Sequence, residues 1–158
     1  PLVLAPGGFI GRDLRGARLD LARARRLFPG FTVTTQPYEH EAGGTSRALC
    51  LRARGARECS VIVLGLPYEA SALEVHDASV IGPHGARVGD AYREIADQLE
   101  ACTVENGPEY AVVCHLVGVP ESQVWLHVAD GIPYTSDTPS AEQLDTARVV
   151  WMHLRLAP

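Results

Sequence analysis

Two periods run through the hydrophobic and polar positions of this chain. Val88, Ala91, Tyr92, Ile95, Ala96 and Leu99 fall at i, i+3, i+4, i+7, i+8 and i+11, a continuous apolar stripe that predicts a helix. Asp90 stands where its carboxylate can cap the first turn. A weaker helical pattern, Leu19, Ala22, Leu27 and Phe28 with Arg23, Arg25 and Arg26 outward, stops at Pro29-Gly30. Period-two or continuous apolar runs predict strands at 48–51, 60–64, 72–76, 112–115, 123–127 and 148–154. Polar, Gly- and Pro-rich stretches at 36–46, 105–108 and 130–140 read as loops, and a loop as long as the last is more often functional than idle.

The same order occurs twice. Phe9-Ile10-Gly11 followed by Gly16-Ala17-Arg18-Leu19-Asp20 returns as Val80-Ile81-Gly82 followed by Gly85-Ala86-Arg87-Val88-Gly89-Asp90. Ala48-Leu49-Cys50-Leu51 aligns with Val112-Val113-Cys114-His115, cysteine on cysteine. Each half then reads helix–strand–strand–strand, an order suited to an antiparallel meander with a helix on one face. The expected fold is α+β, two similar helix-plus-antiparallel-sheet repeats (α-β-β-β twice) over residues 1–78 and 79–158, packed as one compact globular unit.

Composition narrows the function. Of 158 residues 46% are hydrophobic and 21% charged, which excludes wholesale disorder. The net charge of −5, without a basic run, gives nucleic acid or an anionic membrane no electrostatic foothold. All 14 basic residues are Arg, which excludes a Schiff-base lysine and a Walker-type phosphate loop. No apolar run approaches the roughly 18 residues of a spanning helix. The chain begins at Pro1 and reads as a mature fragment from which any leader has been removed.

Four cysteines allow three pairings. With Arg54-Gly55 as a two-residue hairpin turn, Cys50 comes to face Cys59 at a separation a disulfide tolerates. Cys102 ends the second helical pattern and Cys114 sits mid-strand, so that pair would fasten helix to sheet. The alternative is four buried free thiols in a cytosolic protein. Two local pairs favour an oxidising compartment such as a bacterial periplasm.

No Gly-x-Ser-x-Gly elbow, His-Glu-x-x-His helix or dinucleotide fingerprint occurs, and no cofactor is expected. Strand alternation sets Val112, Cys114 and Leu116 against Val113 and His115; Val124, Leu126 and Val128 against Trp125 and His127; and Val150, Met152 and Leu154 against Val149, Trp151 and His153. The face opposite the aliphatic core thus gathers His115, Trp125, His127, Trp151 and His153. It reads as a binding face, or as a second packed face. Tyr134, Ser136, Asp137 and Ser140 of the long loop are further candidates for contact, and a catalytic serine there lacks a placed base.

The second half, from about Val75, resembles the family of uncharacterised bacterial envelope lipoproteins that includes the RpoE-regulated lipoprotein. Val80-Ile81-Gly82, Gly85-Ala86-Arg87-Val88-Gly89 before Tyr92, Cys102 with Val113-Cys114-His115, Pro139-Ser140 before Leu144, and Val149-Val150-Trp151 carry the resemblance. It implies a periplasmic, lipid-anchored domain of unknown function, with Cys102 and Cys114 disulfide-bonded and no catalytic residues to transfer. The chain departs by its Cys50/Cys59 pair, its lack of Lys and the absence of a lipobox cysteine. Together these readings predict a non-enzymatic cell-envelope module, periplasmic and anchored to the outer membrane or secreted, that binds an envelope protein, glycan or lipid. The competing classes are a metal-assisted hydrolase using His115, His127 and His153 and an inhibitor or immunity-type partner protein.

Overall fold

The alternating runs pair into a single long antiparallel sheet. In the computed structural model, which describes residues 1–40, 43–105, 111–129 and 138–156, three short strands open the chain: β1 (Leu2–Ala5), β2 (Gly8–Phe9) and β3 (Arg12–Asp13). Helix α1 (Leu21–Leu27) precedes a meander of β4 (Phe31–Glu39), β5 (Thr45–Ala53), β6 (Val61–Leu64) and β7 (Ala72–Val75). Strand β8 (Val80–Ile81) and the one-turn helix α2 (Tyr92–Ile95) lead into β9 (Leu99–Glu105), β10 (Ala111–Leu116) and β11 (Val119–His127). Helix α3 (Ala141–Asp145) precedes β12 (Arg148–Arg155).

The main sheet has the order β4-β5-β6-β7-β12-β11-β10-β9, so the two meanders meet through their last strands. A second sheet, β3-β2-β1-β8, joins the N-terminus to β8 by a parallel pair. One continuous core runs between the main sheet and the remaining elements: Leu4, Phe9, Leu14, Ala24 and Phe28 belong to the same cluster as Leu51, Leu73, Leu126 and Met152.

This overturns the expected α+β repeat. The protein is mostly β, and each half supplies four strands to the main sheet instead of three. The polar stretch 36–46 is largely strand: residues 36–39 belong to β4 and 45–46 to β5, which pair from Phe31↔Ala53 to Glu39↔Thr45. As an edge strand, β4 needs only one apolar face and tolerates Pro37.

The second helix shrinks to one turn because its backbone is claimed elsewhere. Gly89 and Tyr92 donate to the carbonyls of Val149 and Ala147, and Val149 donates back to Asp90. The Asp90 carboxylate accepts from the Arg87 amide instead of capping a helix. Ile95 and Leu99 of the predicted stripe are buried, with Val88 and Tyr92 packed against the core, but Leu99 already opens β9. In α1 the reading holds in part. Leu19 and Phe28 are buried and Leu27 packs against the core, but Ala22 is exposed and Ala24 takes the buried place. Asp20 caps the helix by accepting from the Arg23 amide at 2.7 Å.

Both disulfides, Cys50–Cys59 and Cys102–Cys114, are closed. Their settings differ from the expected ones. The Arg54-Gly55 turn forms, with the Ala56 amide bonded to Ala53, but the chain runs on to Val61 before pairing resumes. The strand partner of Cys50 is therefore Ile62, and Cys59 bonds to it from the loop, Cα to Cα 5.3 Å. Cys102 lies in β9, not at a helix end, and links two neighbouring strands where the register slips between Val113 and His115. Ala101 beside it takes φ 51°, the backbone of a bulge. The cysteine-on-cysteine alignment also fails. Leu49 and Leu51 flank Cys50 into the core, whereas Cys114 is itself in the core cluster, so the two strands are out of phase by one residue.

Replacing either disulfide by a serine pair is expected to lower unfolding stability by about 2–3 kcal/mol, read as a lower urea midpoint; unchanged midpoints would show that the bonds constrain nothing. Ala101→Gly removes the steric cost of a left-handed alanine and should raise stability by about 1 kcal/mol. A destabilised A101G would mean that this bulge is not the native backbone.

Candidate functional site

Alternation puts Leu73 and Val75 of β7, Met152 and Leu154 of β12, and Val124 and Leu126 of β11 into the core. Glu74, Trp151, His153, Gln123 and Trp125 then emerge on the opposite face. Register does the rest. Glu74 lies opposite His153, which lies opposite Gln123, and Trp151 lies opposite Trp125, which lies opposite Val113.

The last strand reaches this arrangement through a bulge. Leu126 pairs with Val149 while Trp125 pairs with Trp151, which leaves Val150 unpaired and 45% exposed. Val149 is buried with Met152 and Leu154. The expected grouping of Val150 with Met152 and of Val149 with Trp151 is thus corrected. Trp151 and His153 remain on the outer face.

Three rings stack, from β11, β12 and the residue after β7. Trp125 and Trp151 lie 5.2 Å apart at 12°, and His76 covers the other side of Trp151 at 6.0 Å and 11°. His153 meets Trp151 edge-on at 6.2 Å. The Trp125 Nε1–H donates to Gln123 Oε1 at 3.3 Å. Both tryptophans are half-buried, so the ring faces are spent on one another and part of the ring surface remains open to solvent.

Beside the stack sits a carboxylate. Glu74, 8% exposed, accepts from the Tyr38 hydroxyl at 2.9 Å and from His76 Nε2 at 3.1 Å. The His76 bond holds its carboxyl below the ordinary glutamate range; burial opposes this, while Tyr38 and the charges of His76 and His153 reinforce it. His153 is shifted below the ordinary histidine value because burial penalises the imidazolium, with Arg155 adding to this and Glu74 opposing it.

The other predicted residues separate. His115 Nδ1 is bonded to the Ser122 carbonyl, and Ser122 Oγ ties the β10–β11 turn by accepting from Leu116 and donating to Val119, so this histidine belongs to the turn. His127 is exposed near the end of β11, opposite Ala111 and Arg148. Among the described residues no three His, Cys, Asp or Glu side chains gather closely enough to hold a metal ion, so His115, His127 and His153 do not form a ligand set. Ser140 is the N-cap of α3 in a reciprocal capping box with Gln143. Tyr134, Ser136 and Asp137 lie outside the described residues. Sequence reading missed Tyr38, Glu74, His76 and Gln123. For Glu74 and His76 the signal was present in the alternation of 72–76, but only the pairing of β7 with β12 carries it to the tryptophans.

Both shifted groups bind their proton more weakly in the fold than in the unfolded chain. Their stabilisation is present above the unfolded values, 6.5 for His153 and 4.5 for Glu74, and is lost as pH falls through each folded value. The melting temperature should therefore fall from about pH 7.5 downward, first through His153 and then, below about pH 5, through Glu74, and His153→Gln should flatten the upper part of that drop. A flat wild-type profile, or an unaltered slope in H153Q, contradicts this electrostatic picture.

The two disulfides fit an extracytoplasmic, oxidising compartment. Among the described residues no helix is long and apolar enough to cross a membrane. No protein-family model and no curated protein matches the sequence. The fold is similar to that of the uncharacterized protein YfeY from Escherichia coli, with a TM-score of 0.65 over 90% of this chain and 92% of that one, at 14% identity.

Proposed function

We propose that this protein is a non-enzymatic binding module of the bacterial cell envelope, periplasmic in location, that takes up a protein partner on the outer face around Trp125, Trp151 and His153. The observation that carries the reading is the stack His76–Trp151–Trp125. Rings immobilised against one another lose little further entropy on binding, and half-buried tryptophans flanked by polar groups are the residues that dominate protein interfaces. A flat sheet suits a protein better than a small molecule, which needs a concave site. Glu74 and His153 at the base of the stack would supply orientation: Glu74 is engaged by Tyr38 and His76, and His153 packs edge-on against Trp151.

The test places a photocrosslinking amino acid at exposed His127 and irradiates the protein in a periplasmic extract. A discrete protein adduct that Trp151→Ala abolishes is the expected result, with affinity for the isolated partner reduced by about 2 kcal/mol, roughly 30-fold. Adducts that W151A leaves unchanged, or that run as a polysaccharide ladder or as lipid, overturn the protein-binding assignment.

A further inference from the structure

On the core-facing side of the β4–β5 hairpin, beyond the packed core, the structure holds a cavity of about 300 Å³. Its walls are Leu19 just before α1, Leu21 at its start, Leu49 of β5, and Leu66 from the turn after β6. Leu19, Leu49 and Leu66 are buried, so these walls are anchored in the fold. Arg18 and Arg47, both exposed, also line it. Arg47 borders a second depression as well, with Pro37, Thr45 and Ser46.

Among the described residues the two guanidiniums have no counter-ion. The carboxylate in the lining, Asp20, already accepts from the Arg23 amide. Arg23 brings a third cation close, donating from Nη1 to the Arg18 carbonyl at 3.2 Å. The wider chain reinforces this. Ten of its 14 basic residues fall in the first 57 positions, against four of its 19 acidic ones, so a molecule of net charge −5 carries a positive first third. Of those ten, Arg15 alone is ion-paired among the described residues, with Asp13. At the cavity itself Arg18, Arg47 and the nearby Arg23 give the rim a positive character that favours anions.

An apolar slot rimmed by uncompensated arginines matches a molecule with an anionic head and a hydrocarbon chain. We propose that this cavity binds such an amphiphile, its carboxylate or phosphate on Arg18 and Arg47 and its chain against Leu19, Leu21, Leu49 and Leu66. Guanidinium forks suit either head. The site is separate from the aromatic face, so the two assignments stand or fall independently.

Calorimetric titration below the micellar concentration tests this with four probes: decanoate, decyl phosphate, decyl maltoside and inorganic phosphate. Either anionic decyl probe should bind at least about tenfold more tightly than decyl maltoside and than inorganic phosphate. Which of the two does so identifies the head group. The exposed double variant Arg18→Glu/Arg47→Glu should lose at least about tenfold in that affinity at an unchanged melting temperature, and Leu21→Gln should weaken the decyl probes but not inorganic phosphate. Equal binding of decyl maltoside, equal binding of inorganic phosphate, or unaltered affinity in R18E/R47E overturns the proposal.

Discussion

The pairing of β7 with β12 is the constraint on which the rest depends. Four residue pairs, from Met152↔Val75 to Arg155↔Ala72, join two meanders that would otherwise each expose an edge. All four residues of β7 are buried. The strand therefore sits at the centre of the sheet with Leu73 and Val75 in the core, and Glu74 is covered on the other face. The seam closes a loop of more than 70 residues, so it is a non-local contact whose entropy cost must be met by the apolar surface buried on both sides.

The same seam creates the outer site. Glu74 and His76 come from one meander, Trp151 and His153 from the strand that meets it, and Trp125 from the strand beyond. A carboxylate on a central strand is costly unless its lone pairs are satisfied. Tyr38 and His76 satisfy them, while burial disfavours the cation of His153 and holds it below the ordinary histidine value. A polar cluster of this kind also fixes register. Slipping β7 by one residue against β12 would put Glu74 into the core and Leu73 outside, a penalty on every side chain of the strand.

This dependence explains what could be read from the sequence and what could not. The six predicted strands exist, because two-residue alternation is a local signal. The strand β4 was hidden by its polar residues, although Phe31, Val33 and the neighbouring threonines carry strand propensity. The long second helix was a wrong reading of a true apolar stripe: Val88, Tyr92, Ile95 and Leu99 do face the core, but hydrogen bonds to Ala147 and Val149 take the backbone. Helix α3 escaped the sequence reading, which took Ser140 for a loop contact residue, although Ser140 and Gln143 stand at the spacing of a capping box. The outer face was found in part. Trp125, Trp151 and His153 follow from alternation even though a bulge at Val150 shifts the phase, whereas their neighbours from β7 depend on pairing across the halves.

The covalent links are placed away from the seam. Cys50–Cys59 restrains the loop between β5 and β6, and Cys102–Cys114 ties the outermost strand β9 to β10 at a bulge. Both are local, and neither crosses between the meanders. The centre of the sheet is held by burial alone, where both flanks of each strand are paired. An edge such as β9 has a partner on one side only and is the place where fraying and edge-to-edge association begin. A disulfide there, together with a bulge that breaks the regular ladder, protects the strand least able to protect itself. Reduction would therefore loosen the periphery before the β7–β12 seam. The aromatic stack is built on that seam, and its one described tie to an edge strand is the bond from Tyr38 of β4 to Glu74.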